Sequence, residues 1–148
     1  MGPGPLETVS GLVGARATSL AGAPGLPASP GSYVLLIELG QGACVLRRGT
    51  ALPFAPGWYA YVGSARGPGG LRARLSRHLR SDKKPHWHVD ALTAIAVRLV
   101  GFAVEGAFEC DLGARLVRSG HFSHVHPGFG SSDCHTCPSH LLEWRGEV

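Results

Sequence analysis

Between residues 58 and 64, Trp58, Ala60 and Val62 alternate with Tyr59, Tyr61 and Gly63, and a glycine-rich turn follows. An alternation with a period of two is typical of a β-strand, and it places Tyr59, Tyr61 and Gly63 on one face. In residues 71–80, leucine recurs at every fourth position among arginines, which predicts a helix with one apolar stripe. The centre of the chain is therefore predicted to be a strand, a sharp turn and a basic helix.

Hydrophobic patterning also predicts the elements on either side of this centre. Residues 32–39 are mostly apolar, which indicates a buried strand, and the Gly-Gln-Gly turn after them predicts a hairpin with residues 43–47. The other predicted segments are a loop at 48–56, a short helix at 88–94, a strand at 96–104, a helix at 109–117, an irregular segment at 121–132 and a last strand or short helix at 139–145. This order predicts a small α/β (α+β) domain, with helices flanking a sheet of three or four strands.

The N-terminal part of the chain has a different composition. Residues 1–30 are rich in Gly, Ala, Pro and Ser, which predicts a flexible N-terminal extension with at most a weak helix at 8–13. The domain itself is expected to span residues 31–148. We find neither a secretory signal nor an apolar run close to the ~20 residues of a membrane span. We therefore expect a soluble, cytoplasmic protein with no membrane partner.

Positive charge is concentrated around the predicted helix. The chain carries a net charge of +4, and seven of its 14 Lys and Arg residues lie within residues 66–84. These residues are Arg66, Arg72, Arg74, Arg77, Arg80, Lys83 and Lys84. A concentrated basic patch indicates a polyanionic partner, nucleic acid first, although solvated helix faces are often basic as well.

Two tripeptides connect this pattern to a known family. Gly31-Ser32-Tyr33 and Tyr61-Val62-Gly63 resemble the two signature tripeptides of the GIY-YIG nuclease superfamily. The chain from Gly31 onwards is similar to the Uri-type branch of that superfamily, whose members are often fused to an endonuclease III domain. Further stretches that carry the resemblance are residues 59–65, 69–78, 86–90, 109–110, 128–134 and 139–141. The resemblance implies a compact domain with a central three-stranded, mostly antiparallel sheet that cleaves a phosphodiester bond of DNA with a metal ion.

The resemblance also implies roles for individual residues. Tyr33 and Tyr61 match the tripeptide tyrosines and would take or relay a proton from the attacking water. Arg74 matches the helix arginine, whose guanidinium would hold the attacked phosphate. Glu109 is the candidate for the single carboxylate that binds Mg²⁺ or Mn²⁺. Apart from the resemblance, each residue has an ordinary structural explanation, such as core packing for a tyrosine or a first-turn position for a glutamate.

The active-site histidine and a late polar residue are harder to assign. His88 is the preferred histidine, with His86 close behind, and His78 is a third candidate beside the leucine stripe of the helix. The late active-site asparagine of the family has no counterpart here, because the chain contains no Asn. The candidates to replace it are Ser131, Ser132 and Asp133.

Cysteine and histidine residues near the C-terminus form a separate motif. Cys134, Cys137 and His140 have Cys-x2-Cys-x2-His spacing, and Cys110 directly follows Glu109. Four such ligands would suit a closed Zn²⁺ site. A structural thiol pair, or a disulfide from Cys110 to Cys134 or Cys137, fits the same residues.

These observations lead to one preferred function and two alternatives. We expect a metal-dependent DNA endonuclease, a phosphodiester hydrolase of DNA repair or processing that acts on duplex, branched or damaged DNA. An endonuclease III-type repair protein is a candidate partner. The alternatives are a non-catalytic nucleic-acid-binding module on the same fold and a zinc-stabilised interaction domain.

Overall fold

The chain folds around a five-stranded sheet that helices cover on both faces. The computed structural model describes residues 2–80, 82–84, 88–126, 129 and 139–146. The strands are β1 (Gly31–Leu39), β2 (Ala43–Arg47), β3 (Thr50–Phe54), β4 (Gly57–Ala65), β5 (Arg98–Glu105), β6 (Phe122–His124) and β7 (Leu141–Trp144). The helices are α1 (Pro5–Val13), a 3₁₀ helix (Leu20–Gly25), α2 (Gly70–Leu79), α3 (Val89–Thr93) and α4 (Glu109–Arg118).

The main sheet has the order β5-β1-β4-β7-β6, and all neighbouring strands are antiparallel. Strand β1 lies between β5 and β4 and is almost entirely buried, as its continuous apolar sequence predicts. The predicted mixed α+β architecture is confirmed, but in the described residues the sheet has five strands rather than three or four. Strand β6 lies in the segment that we predicted to be irregular, because three residues are too few to show a period of two. The last segment forms a strand, β7, and not a helix.

Strands β2 and β3 form a separate two-stranded ribbon. The prediction of a hairpin between β1 and β2 is wrong, and so is the prediction of a loop at 48–56, because β2 pairs with β3 instead. Arg48 and Gly49 both have positive φ angles, of 51° and 78°, which is the geometry of a two-residue hairpin turn. Pro53 is tolerated in β3 because a two-stranded ribbon leaves one edge of each strand without a neighbour.

Each face of the main sheet packs against its own helices. The face with Tyr33 and Tyr61 packs against α2 and α3, and Leu71 and Leu75 of α2 are fully buried in this layer. The opposite face packs against α1 and α4. The leucine stripe predicted for α2 therefore faces the layer that also holds the two tyrosines.

The N-terminal segment packs against the rest of the domain. Helix α1 buries Val9 and Val13 in the layer that also contains α4, where we predicted at most a weak helix. Thr18 forms a β-bridge with Gly101 of β5. The division of the chain at residue 31 stays a prediction, but the segment before it contributes to the core. No helix in the described part of the chain is long and apolar enough to cross a membrane.

Candidate active site

A buried tyrosine and a buried histidine contact each other between the sheet and α2. The hydroxyl of Tyr33 lies 2.8 Å from Nε2 of His78, and both side chains are almost fully buried. Gly63 lies directly opposite Tyr33 on β4. A Cβ atom at Gly63 would collide with the Tyr33 hydroxyl, so the glycine of the second tripeptide makes room for the tyrosine of the first.

The second tripeptide tyrosine lies beside this pair. Leu35 is the partner of Tyr61 in the register of β1 and β4, which sets Tyr61 two residues along from Gly63 on the same face. The rings of Tyr61 and His78 are 6.3 Å apart between centroids. The register therefore brings both predicted tyrosines to one buried face, beneath α2.

Arg74 lies one helical turn before His78 on α2, where its charge acts on Tyr33. Burial raises the pKa of Tyr33 well above its ordinary value, and the neighbouring Arg74 offsets only part of this increase. Burial also raises the pKa of Tyr61 to about 12, again partly offset by Arg74. Both phenols therefore keep their protons at neutral pH and act first as hydrogen-bond donors.

A buried ion pair lies behind His78. Arg77 binds both carboxylate oxygens of Asp90 on α3, at 2.8 Å and 3.2 Å. Oδ1 of Asp90 lies 3.8 Å from Nδ1 of His78. Burial lowers the pKa of His78 to about 3, although Asp90 opposes this shift, so His78 is neutral at pH 7. A neutral imidazole with its proton on Nδ1, towards the carboxylate, leaves Nε2 to accept the hydrogen bond of Tyr33.

A small cavity opens beside this network. Its volume is about 190 Å³. Its lining residues are Ala65, Gly67, Pro68, Gly70, Ala73, Arg74 and Arg77. Glycine and alanine let a ligand approach the backbone closely, and the two guanidinium groups favour an anion. The cavity therefore suits a phosphate group held against Arg74.

A possible metal-binding cluster lies at the start of α4. One ligand atom from each of Glu109, Cys110 and His140 lies within 4.8 Å of the others. The Glu109 carboxylate also contributes to the raised pKa of Tyr61, so the cluster and the tyrosine are electrostatically coupled. The structure thus relates the predicted metal ligand, Glu109, to the predicted tyrosines, and adds a sulfur and a nitrogen donor next to it.

The other predicted site residues lie away from Tyr33 or outside the described residues. His88 is exposed immediately before α3, with its ring 6.0 Å from that of Phe129, and it is His78 that contacts Tyr33. The remaining candidates lie outside the described residues, so their predicted roles and disulfide pairings stay predictions; they are His86, Ser131, Ser132, Asp133, Cys134 and Cys137.

Several residues of the predicted DNA-binding patch make structural contacts. Arg66 donates to the carbonyl of Ala107 and lies over the ring of Phe108. Arg72 donates to the carbonyl of Leu26. Lys83 donates to carbonyls at the end of α2.

The predicted patch also contains Arg80 and Lys84, which are exposed. Part of this positive charge therefore anchors loops to the helices, and part faces the solvent.

Sequence reasoning assigned no role to Asp90. Asp90 is buried and lies next to both Arg77 and His78. The signal was present in the sequence, because this acidic residue stands beside the apolar Val89 in a predicted helix. A carboxylate in such a position requires a charged partner, and α2 supplies one.

Comparison with known proteins identifies a domain family. A family model described as "Domain of unknown function DUF123" matches residues 32–147. No curated protein and no solved structure matches the chain. The matched range contains the five strands of the main sheet, apart from the first residue of β1, and all of the candidate site residues.

Proposed function

We propose that this chain, which belongs to the DUF123 family of domains of unknown function, is a metal-dependent endonuclease. It would hydrolyse phosphodiester bonds of DNA. The contact between Tyr33 and His78, with the charge of Arg74 acting on the same phenol beside an arginine-lined cavity, is the observation that carries the proposal. The GIY-YIG resemblance is supported by the register of β1 and β4, which brings the two tripeptides side by side. The fold alone would not support an activity, because one fold hosts many functions.

Arg74 would bind the attacked phosphate. Its guanidinium is always charged and forms two parallel hydrogen bonds with phosphate oxygens. It lines the cavity, and its charge also acts on Tyr33. Charge that develops on the phosphoryl oxygens during the reaction would then be stabilised by a preorganised cation.

Tyr33 would relay a proton. Its hydroxyl lies 2.8 Å from Nε2 of His78, so its proton would pass to that nitrogen. In the free protein, burial keeps Tyr33 and His78 neutral. Positive charge near the phenol favours its deprotonated form, so the proton would move only once such charge is present. Asp90 would stabilise the imidazolium that forms, as a buried carboxylate next to a catalytic histidine does.

Glu109 would contribute a ligand to the metal. A divalent ion, for which Mg²⁺ and Mn²⁺ are the ions that the resemblance implies, would stabilise the charge on the leaving oxygen. The charge of Glu109 acts on Tyr61, which links the candidate metal ligand to one of the two tyrosines. The carboxylate suits Mg²⁺, whereas the adjacent sulfur and imidazole do not.

The test is a cleavage assay on plain, branched and damaged duplex DNA, with each divalent ion and with a chelator. We expect product only with a metal. Arg74→Ala should lower the rate by about 100-fold or more, and Glu109→Gln should do the same. Arg118→Ala, which removes the same charge from the last turn of α4, should cut at the normal rate. No product from any of these DNAs, with any ion, would refute the proposal.

The high pKa values of the two phenols favour a second candidate. A domain whose tyrosines stay protonated could bind nucleic acid without cutting it, using its exposed basic side chains. That function predicts DNA binding with a steep salt dependence and no cleavage. The same assay, combined with binding measured over a range of salt concentrations, separates the two functions.

A further inference from the structure

We infer that Glu109, Cys110 and His140 are ligands of one Zn²⁺ site. The inference goes beyond the proposed function, because it assigns a metal and a ligand set and not an activity. The metal preference stands on the ligand set alone. It differs from the predicted closed site, because the glutamate that we assigned to Mg²⁺ becomes a ligand of the same ion as the cysteine and the histidine.

The distances fit zinc. Sγ of Cys110 lies 3.8 Å from Nε2 of His140. In a tetrahedral zinc site with bonds of about 2.3 Å to sulfur and about 2.0 Å to nitrogen, these two atoms are roughly 3.5 Å apart. All three ligand atoms lie within 4.8 Å of one another, so small side-chain rotations bring them around a single ion.

The donor types also favour zinc over magnesium. Thiolate and imidazole are ligands of Zn²⁺ and similar transition metals, whereas Mg²⁺ selects oxygen atoms in octahedral geometry. A cysteine and a histidine beside a single carboxylate would therefore discriminate against Mg²⁺.

The backbone holds the ligands in place from two distant parts of the chain. Glu109 and Cys110 occupy the first turn of α4. The backbone of His140, immediately before β7, donates to the carbonyl of Phe129 and accepts from the amide of Val62 on β4. Because β4 also carries Tyr61, the site and the tyrosine face are supported by the same strand.

The experiment measures metal binding without DNA. The full chain is purified, stripped of metal and titrated with Zn²⁺ or Co²⁺ alone, and metal content is measured by mass spectrometry. We expect about one Zn²⁺ per chain and, with Co²⁺, the absorption bands of a tetrahedral site with a thiolate ligand. A large excess of Mg²⁺ should not displace either ion. Displacement by Mg²⁺, or a Co²⁺ spectrum without a thiolate band, would overturn the inference.

Matched variants identify the ligands. Cys110→Ser should weaken zinc binding by more than about 10-fold and remove the thiolate band of cobalt. Cys44→Ser, at an exposed cysteine on β2, should change neither. Glu109→Gln, which keeps the side-chain shape at a half-buried position, should also weaken zinc binding and gives a second test if Cys110→Ser does not fold. Zinc that is retained in Cys110→Ser but lost in Cys134→Ser or Cys137→Ser would place the metal elsewhere and overturn the inference.

The outcome is independent of the proposed nuclease activity. Zinc bound by these three residues, without any DNA cleavage, would refute the endonuclease and leave the site intact. Cleavage by a zinc-free protein with Mg²⁺, combined with no zinc binding, would refute the site and leave the endonuclease intact.

Discussion

The hydroxyl of Tyr33 lies 2.8 Å from Nε2 of His78, although the two residues are 45 positions apart in the sequence. The contact joins β1 to α2 at the point where the charge of Arg74 also acts on the phenol. Because of this contact, the two buried side chains belong to a polar network between the sheet and a basic helix. The following predictions test this network.

Removal of the Tyr33 hydroxyl should affect cleavage far more than folding. Tyr33→Phe is expected to lower the cleavage rate by about 100-fold or more, because the proton relay is lost. Its free energy of unfolding should fall by only about 1 kcal/mol for the lost hydrogen bond. Tyr59→Phe is the control, because Tyr59 lies on the same face but donates to the carbonyl of Ala55. Cleavage at the normal rate by Tyr33→Phe would exclude a role for the hydroxyl.

The lowered pKa of His78 should make the protein less stable in acid. An unfolded histidine binds a proton below pH ~6.5, whereas folded His78 does so only below about pH 3. The stabilisation from neutral His78 is fully present above the unfolded pKa and decreases as pH falls between these values, by up to ~1.4 kcal/mol per pH unit. Urea unfolding from pH 4 to pH 7 should show this slope.

The His78→Gln variant should have a shallower slope than the natural chain over the same pH range. The exposed His88 supplies a control, since His88→Gln should leave the slope unchanged. Equal slopes for the natural chain and His78→Gln would show that His78 is not buried in its neutral form.

A methyl group at Gly63 should disturb the tyrosine opposite. Gly63→Ala is expected to lower the free energy of unfolding by about 1–3 kcal/mol, because the new Cβ collides with the Tyr33 ring and forces it to move. Cleavage should fall as well. Gly113→Ala is the control, since a Cβ there would lie 3.5 Å from Val62, at an ordinary contact distance. Calorimetry on both variants tests the prediction, which fails if Gly63→Ala is as stable as Gly113→Ala.

The ion pair between Arg77 and Asp90 should show strong coupling. Asp90→Asn is expected to cost about 3 kcal/mol, because it leaves a partly buried guanidinium without its carboxylate. The double variant of Arg77→Gln and Asp90→Asn should lose less stability than the sum of the two single variants. A double-mutant cycle from denaturant unfolding measures this coupling. Additive losses would mean that the two side chains do not interact energetically in solution.

Much of the candidate site could be predicted from local pattern. The tripeptide tyrosines lie on strands of the predicted type, and Arg74 lies on the predicted helix directly after β4. Because β4 and α2 follow each other through a short turn, a tyrosine on one and an arginine on the other must lie close together. The assignment of the histidine could not be made in this way. His78 and His88 both lie near plausible apolar stripes, and only the packing of α2 against β1 shows which of them meets Tyr33.

The sequence by itself determined the mixed fold class, the buried strands β1 and β4, the helices α2 and α4, and the concentration of positive charge. These features are local, because the period of the hydrophobic side chains records which face of an element is buried. Tertiary structure decided the pairing of β2 with β3, the addition of β6 and β7 to the sheet, and the meeting of Glu109 and Cys110 with His140. Such contacts depend on strand order and on register between segments far apart in the chain, and no local period records either of them.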